Sequence, residues 1–598
     1  IETLGSVSVI CTDKTGTLTR NEMVVTAVAA AGQVFAVEGE GHAPEGTLSL
    51  DGDTIDPGEH TVLEEVARAA ALCNDAALHP ARGGWRVEGD PMEGALVVLA
   101  ARIAGGEPST AEGWTRLDAI PFDARHRYMA VLHRDAAGRG VVHVKGAPER
   151  LLAMCKAEEI AGGAEGPLDA GRWHAEVDAL AARGQRVLAL ARMHVPTAQG
   201  RLREEDFEGR LTMVGLVGLI DPPRPEAIRA VAECLAAGIR VKMITGDHAG
   251  TAAAIGRQIG LRNPGRVLTG SDIEAMDEAE LSAVVVETDV FARTSPEHKL
   301  RLVTALQSHG LTVAMTGDGV NDAPALKRAD AGIAMGLKGS EAAKEASDLV
   351  LADDNFASIA AAVREGRTVY DNIRKVISWT LPTNGGESMT IVAALLLGMA
   401  LPIAAVQILW VNTITAVTLG LALAFEPTEE DTMRRPPRDR TAALMSGGLV
   451  WHVVLVTALF LAGIFGIFSY AVHRGYPLDL AQTMAMNTLV VMKIFHLFFV
   501  RNIYGTSLTW KAVRGTRVVW LCVLVATLAQ FAVTYLPPAQ RLFGTAAVPL
   551  ADGVLILAIG AVFFALVETE KQMRLAFGPR GGAADDRSAA AGPSARRG

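Results

Sequence analysis

Hydrophobic and polar positions divide the chain in two. Up to about residue 370 the apolar residues come in short runs broken by charge, and beyond it long apolar runs dominate. The first part reads as soluble α/β sequence. Strand-like runs such as VVHVK at 141–145 and RVLALAR at 186–192 alternate with Ala-rich amphipathic helices at 62–73 and 172–183. Residues 32–58, rich in Gly, Glu and Asp, read as a solvated loop. The second part predicts spans near 376–400, 401–425, 447–472, 481–500, 518–536 and 550–570. Each is close to the roughly 20 residues that cross a bilayer. Arg434, Arg435, Arg438 and Arg440, then Arg501, Lys511, Arg514 and Arg517, collect in alternate connections, whereas the opposite loops carry little beyond Arg474 and Arg541. That asymmetry places the basic connections on the cytoplasmic side.

Composition fits an integral membrane protein with large soluble parts. The 598 residues exceed one typical domain, half are hydrophobic, and mean hydropathy is +0.25 although 20% are charged. A net charge of −10 and a pI near 5.8 leave no basic footprint, so no nucleic-acid partner is expected. Cys11, Cys73, Cys155, Cys234 and Cys522 lie far apart without a CxxC, which excludes a disulfide framework or a structural metal cluster. They read as small buried residues.

The candidate chemistry begins at DKTGTLT, residues 13–19, directly after the apolar Val7, Val9, Ile10 and Cys11. A strand that delivers an aspartate to its carboxyl end, followed by a Thr/Gly turn, suits a doubly wound parallel sheet, where ligands sit beyond the strand ends. A carboxylate so placed is able to attack phosphorus and form an aspartyl phosphate. Hydrolytic relatives of such sites carry a second Asp two residues on as general acid, and here that place is Thr15. A covalent intermediate is therefore expected to persist. A soluble phosphohydrolase of the same fold is the alternative, and Thr15 counts against it.

Further motifs follow in order: LCND at 72–75, GDPMEGAL at 89–96, Pro121-Phe122, KGAPE at 145–149, DPPR at 221–224, TGD at 245–247, FARTSPEHK at 291–299 and TGDGVNDAPALKRADAGIAMG at 316–336. The series resembles the P-type ATPases, ion pumps that phosphorylate themselves on the Asp of DKTGT, in a calcium-pump-like branch. The resemblance implies a haloacid-dehalogenase-like phosphorylation domain from residues 1–20 and 221–355, an inserted α+β nucleotide-binding domain at 21–220, six transmembrane helices within 356–575 and a disordered tail at 576–598. Six spans after the phosphorylation domain match the ten-span pumps, since the heavy-metal branch has two there.

ATP and Mg²⁺ are the implied cofactors. Asp13 is the nucleophile, with Lys14, Thr245, Gly246, Asp247, Lys299 and Asn321 serving phosphoryl transfer. Asp318, Asp322 and the Thr15 carbonyl join Asp13 around the Mg²⁺. Phe122 is the adenine-stacking face, with Lys145, Glu93, Arg186 and Arg293 as polar partners. The family's usual arginine two places after that Phe is Ala124 here, which weakens nucleotide affinity unless Arg125 substitutes.

Asn384, Glu387, Asn412 and Thr415 are polar groups within predicted spans, hence candidate ligands of a transported inorganic cation, with interhelical hydrogen bonding as their structural alternative. In reticulum-type calcium pumps the same positions hold matching ligands. Two departures leave the ion open among calcium, proton, sodium/potassium and magnesium: Ala416 stands where that pattern has Asp, and Lys493 stands where an acid or amide is expected. Lys493 either neutralises Glu387, replaces a cation or snorkels to the interface. Full pumps carry an actuator domain and four spans ahead of the phosphorylation strand. The chain is therefore expected to be the C-terminal portion of a plasma-membrane pump, with a missing N-terminal half as its partner, or else a non-pumping fragment.

Overall fold

A computed structural model describes residues 2–577 apart from 40, 82–83, 107–112, 198, 440–444, 503–506 and 508–513. Arg440, Lys511 and residues 578–598 of the predicted tail lie outside the described residues. Contacts separate two compact units, Ser8–Ala360 and the described residues on either side of it.

The first unit contains a seven-stranded, wholly parallel sheet. Its strands are β1 (Val9–Asp13), β2 (Arg240–Ile244), β3 (Val267–Thr269), β4 (Val290–Ala292), β5 (Val313–Gly317), β6 (Ala331–Met335) and β7 (Leu349–Leu351). The spatial order is β3-β4-β2-β1-β5-β6-β7. Val9, Ile10 and Cys11 are fully buried, as a central parallel strand covered on both faces requires. β1 pairs with β2 on one side and β5 on the other, so successive connections lead away from it toward opposite edges. Parallel sheets bind ligands outside the carboxyl ends of strands at such a reversal.

Between β1 and β2 the chain leaves for an 11-stranded, mostly antiparallel sheet. Strands Gly140–Gly146 and Arg186–Val195, seen in the sequence as apolar runs, are neighbours in it. Helices Thr61–Leu72 and Pro91–Ile103 share one core with the sheet through Leu63, Val66, Leu96 and Leu99, while Trp173 and Leu180 of helix Ala170–Ala182 join a second core with Tyr128 and Phe207. The predicted loop at 32–58 is instead largely strand: Gln33–Glu38, Thr47–Leu50 and Asp53–Ile55 form consecutive antiparallel pairs. Phe35, Val37 and Leu48 are buried there on a period of two, which the surrounding Gly, Glu and Asp obscure in the sequence. The two crossings of the insert are tied together. Thr19 bridges Pro223, the Thr19 hydroxyl donates to Asp221 Oδ2 at 2.5 Å, and Arg224 Nε donates to the Thr19 carbonyl at 3.0 Å.

In the second unit, five helical segments among the described residues are long and apolar enough to cross a membrane: Ala405–Ala424, Gly447–His473, Leu478–Val500, Arg517–Tyr535 and Leu550–Ala576. The sixth predicted span, 376–400, falls in the 41-residue helix Phe356–Leu396, which is not among the five. Its WTLPTNGGES stretch dilutes the apolar run. The segment predicted at 401–425 is interrupted by a π-turn at Ala416–Gly420. Leu478–Val500 is the innermost of the five, with 72% of its most apolar stretch buried against 28–39% for the others. That placement explains how polar side chains on it are shielded from lipid.

Candidate functional site

Three loops converge at the carboxyl end of the parallel sheet, following β1, β2 and β5. Asp13 is the last residue of β1, and its Oδ1 accepts from the Lys14 N–H at 2.7 Å. Its backbone N–H donates to the Thr316 hydroxyl of β5 at 3.2 Å. The turn that follows favours Gly16, whose φ of 76° lies in the left-handed region that side chains rarely adopt. Thr15 is exposed at the start of that turn.

After β5, Asp318 and Asp322 join Asp13 in a cluster in which one carboxylate oxygen from each lies within 4.8 Å of the other two. The loop is locked from inside, since Asp322 Oδ2 accepts from the N–H groups of Asp318 and Gly319 at 3.1 and 3.2 Å. Lys299, on helix Pro296–Ser308, reaches Asp322 Oδ1 at 2.8 Å and Asp13 Oδ2 at 3.2 Å. Burial opposes the charge on Lys299, but the Asp13 and Asp322 carboxylates outweigh it and hold the ammonium above its usual pKa. Burial, then the charges of Asp13 and Asp322, raise the Asp318 carboxyl above the ordinary range. Three hard oxygen donors whose mutual repulsion Lys299 offsets only in part fit a small divalent cation such as Mg²⁺. Asn321 is exposed in the short turn Val320–Asp322 beside them.

After β2, the buried Thr245 offers its hydroxyl to the Asp247 N–H at 3.1 Å, and Asp247 Oδ2 pairs with Lys14 Nζ at 2.7 Å. Gly246 lies between them, with open space where a Cβ would be. Arg293, exposed with φ 50°, follows β4 and donates its N–H to the Asp247 carbonyl at 3.1 Å. It thus sits at the sheet's carboxyl end and not among the other residues named for ATP. Lys14 also comes within 3.8 Å of Asp221, a contact linking the carboxyl end of the parallel sheet to the root of the insert.

In the insert, Lys145 of strand Gly140–Gly146 is buried and pairs with Glu93 at 2.7 Å. Glu93, in the first turn of helix Pro91–Ile103, also accepts from the Asp75 N–H at 2.9 Å, which joins the LCND and GDPMEGAL segments. Arg186 is exposed at the start of its strand and donates to Met92 Sδ at 3.0 Å, next to Glu93. Phe122 is 62% exposed, which is unusual for its type and leaves its face free. Arg125, the candidate substitute for Ala124, is held by Asp123 through Nε at 3.1 Å and Nη2 at 3.0 Å. The cysteines agree with the sequence reading. Four are buried, Cys522 is half-buried, and burial pushes the Cys11 and Cys73 thiols up to about 12.

Within the second unit Glu387, Asn412 and Thr415 come together around Lys493. Lys493 Nζ lies 2.5 Å from Glu387 Oε1 and 3.3 Å from both Asn412 Oδ1 and Thr415 Oγ1. Glu387 and Lys493 are 4% and 1% exposed, so this is an ion pair shut away from water. Lys493 does not snorkel. Asn384 is set apart from this contact set and lines an adjoining cavity of about 690 Å³.

A family model described as "P-type ATPase, cytoplasmic domain N" matches residues 62–226, and one described as "Cation transporting ATPase, C-terminus" matches residues 400–573. The chain is 44% identical over 577 residues to a Mycobacterium tuberculosis protein named "Probable cation-transporting ATPase F", covering 95% of this chain and 63% of that protein. It is 39% identical over 570 residues to a Bacillus subtilis "Calcium-transporting ATPase", covering 94% and 63%. With the human "Calcium-transporting ATPase type 2C member 1" it shares 33% over 580 residues, covering 96% and 61%. The chain belongs to the P-type ATPases. Its relatives place it in the calcium-pump-like branch, and it spans about 63% of the length of the first two.

For this P-type ATPase, three features escape a reading of the sequence. Trp379 Nε1 donates to the Lys493 carbonyl at 3.1 Å and fixes the helix that carries Glu387 against the one that carries Lys493. The π-turn at Ala416–Gly420 has no strong residue signal. His452 and His496 stack in the apolar core, with Nε2 atoms 3.1 Å apart. Only the presence of two histidines in otherwise apolar runs hinted at that pair.

Proposed function

We propose that the chain carries out ATP-driven cation transport through an aspartyl-phosphate intermediate on Asp13. The observation that carries this reading is the position of Asp13, at the end of the central strand, with Lys299, Asp318 and Asp322 aimed at it. In the reaction, Asp13 Oδ attacks the γ-phosphorus of ATP, the bond from that phosphorus to the β,γ-bridging oxygen breaks, and ADP departs with the electron pair. Lys299 and the amides of the Thr245–Asp247 loop stabilise the transferred oxygens. Asp13, Asp318, Asp322 and the Thr15 carbonyl would hold Mg²⁺, which supplies charge neutralisation to the phosphates when bound. Asn321 is placed to hydrogen-bond the phosphoryl group.

On this reading the parallel sheet is a haloacid-dehalogenase-like phosphorylation domain built from 1–20 and 221–355, and the insert at 21–220 binds ATP. Phe122 stacks on adenine, Lys145 and Glu93 shape the pocket, and Arg186 reaches phosphate. Arg293 acts from the phosphorylation side. The end of helix Phe356–Leu396 supplies a sixth span, and both soluble domains face the cytoplasm at the cell membrane. Glu387, Asn384, Asn412 and Thr415 line the path of the cation, whose identity the branch's calcium pumps suggest without fixing.

Incubation with γ-labelled ATP and Mg²⁺ tests the reading. The protein is expected to take up hydroxylamine-labile label, and Asp13→Asn to take up none. Equal labelling of the two proteins would falsify the assignment.

A further inference from the structure

The candidate cation site already holds a positive charge. Lys493 Nζ touches the Glu387 carboxylate and the side-chain oxygens of Asn412 and Thr415, three of the four groups proposed to bind the transported ion. The Thr415 hydroxyl donates its own proton to the Val411 carbonyl at 2.7 Å, so only its lone pairs remain for Lys493. An ammonium ringed by a carboxylate, an amide oxygen and a hydroxyl oxygen has the coordination of a bound inorganic cation. Among the described residues, Glu387 is the charged side chain in contact with that ammonium. The pair is neutral as it stands, and a cation added beside it would meet Lys493 with no free carboxylate.

We infer that Lys493 is a tethered resident cation: its ammonium occupies the site until an incoming cation displaces it toward the adjoining cavity. The inference rests on the reading of Glu387 and its neighbours as the cation site. The displaced side chain has room, since the cavity of about 690 Å³ is lined by Lys493 itself together with Trp379, Thr380, Asn384, Asn412 and Ala416. Ala416 and Gly420, in the π-turn, keep that space open. The role makes Lys493 a specificity-determining residue. It sets how strongly a cation must bind to enter, and it restores neutrality to Glu387 once the cargo has left, so no counter-cation is needed to refill the site.

Equilibrium binding of radioactive Ca²⁺ to the protein in nanodiscs tests this. Lys493→Met and Lys493→Gln are expected to bind Ca²⁺ at least tenfold more tightly than the unmodified protein, and Lys493→Arg to remain weak. Adding Glu387→Gln should cancel the gain. Lys493→Gln keeps a polar group among Asn412 and Thr415 and serves where Lys493→Met does not fold. Binding by these neutral variants that is absent, or no tighter than in the unmodified protein, overturns the inference. Loss of binding in Glu387→Gln alone in that case leaves the cation site standing. Ca²⁺ binding indifferent to Glu387 and Lys493 alike overturns both the inference and the reading of the site.

Discussion

Lys299 ties together two of the carboxylates at the carboxyl end of the parallel sheet. Its ammonium bridges Asp13 and Asp322, and it is held charged by both. Removing one preorganised donor from developing phosphoryl charge costs about 10²–10³ in rate. Lys299→Ala is accordingly expected to slow phosphoenzyme formation by about two orders of magnitude in rapid-quench measurements. A loss below threefold would remove Lys299 from the mechanism. Asp318 makes a complementary test, because its carboxyl is raised by burial and by its two acidic neighbours. A divalent cation relieves that repulsion, so Mg²⁺ should raise the melting temperature of the unmodified protein, and EDTA should reverse the gain. Asp318→Asn should abolish most of the shift. These residues were legible in the sequence because each lies in a contiguous motif whose strand places it at the sheet's end. The contacts of Lys493 were legible only in part: neutralising Glu387 was one of three readings, and packing decides among them, because Glu387, Asn412 and Thr415 reach Lys493 from two other helices.

At the scale of elements, two pairings carry consequences. Strands Tyr128–Arg134 and Gly140–Gly146 bring His133 and His143 onto one sheet face, with ring centroids 6.0 Å apart. Burial, with neighbouring cationic groups second, lowers His133 from 6.5 to about 4 and His143 to about 3. Both are therefore neutral when folded, while the unfolded chain takes up protons from pH 6.5 downward. Stability rises with pH wherever the unfolded state binds more protons, so it is lost as the pH falls from 6.5 toward those lowered values. Each histidine costs about 2 kcal/mol between pH 6.5 and 5. Thermal melts of the unmodified protein across that interval should drop more steeply than those of His143→Phe. Parallel slopes would show that His143 does not contribute.

The second pairing is a close helix contact. A Cβ on Gly386 would lie 2.6 Å from Phe460 Cβ, and one on Gly385 would lie 2.7 Å from the Thr457 hydroxyl. Small residues let membrane helices approach. Gly386→Ala should cost about 1–3 kcal/mol through overpacking, seen as a lower melting temperature in detergent. No change would mean that the two helices separate readily. The approach was hidden in the sequence, where Gly385-Gly386 sits in a polar stretch that reads equally as an ion site. The strands at 33–55 were hidden for a related reason: register and alternation, not composition, decide them.

Over the whole molecule, the order of motifs along the chain conveyed most of the layout, because P-type ATPase signatures mark the ends of strands that the fold brings together. The membrane half was less legible. Among the described residues, length and apolarity identify five helices. The helix bearing Glu387 carries the polar groups proposed to line the cation's path, and it is not among them. On the proposed reading, Glu387→Gln is expected to reduce cation activation of ATP hydrolysis at least tenfold, about 1.4 kcal/mol or more, by removing the carboxylate that pairs with Lys493 until a cation displaces it. Whether Asp13 accepts the phosphoryl group is read out by reducing the ATP-treated protein with borohydride, which converts an aspartyl phosphate to homoserine, and mapping the product by mass spectrometry. Homoserine at position 13, absent without ATP, is the predicted result; homoserine at another aspartate, or intact Asp13 in protein that carries acyl-phosphate label, would contradict it.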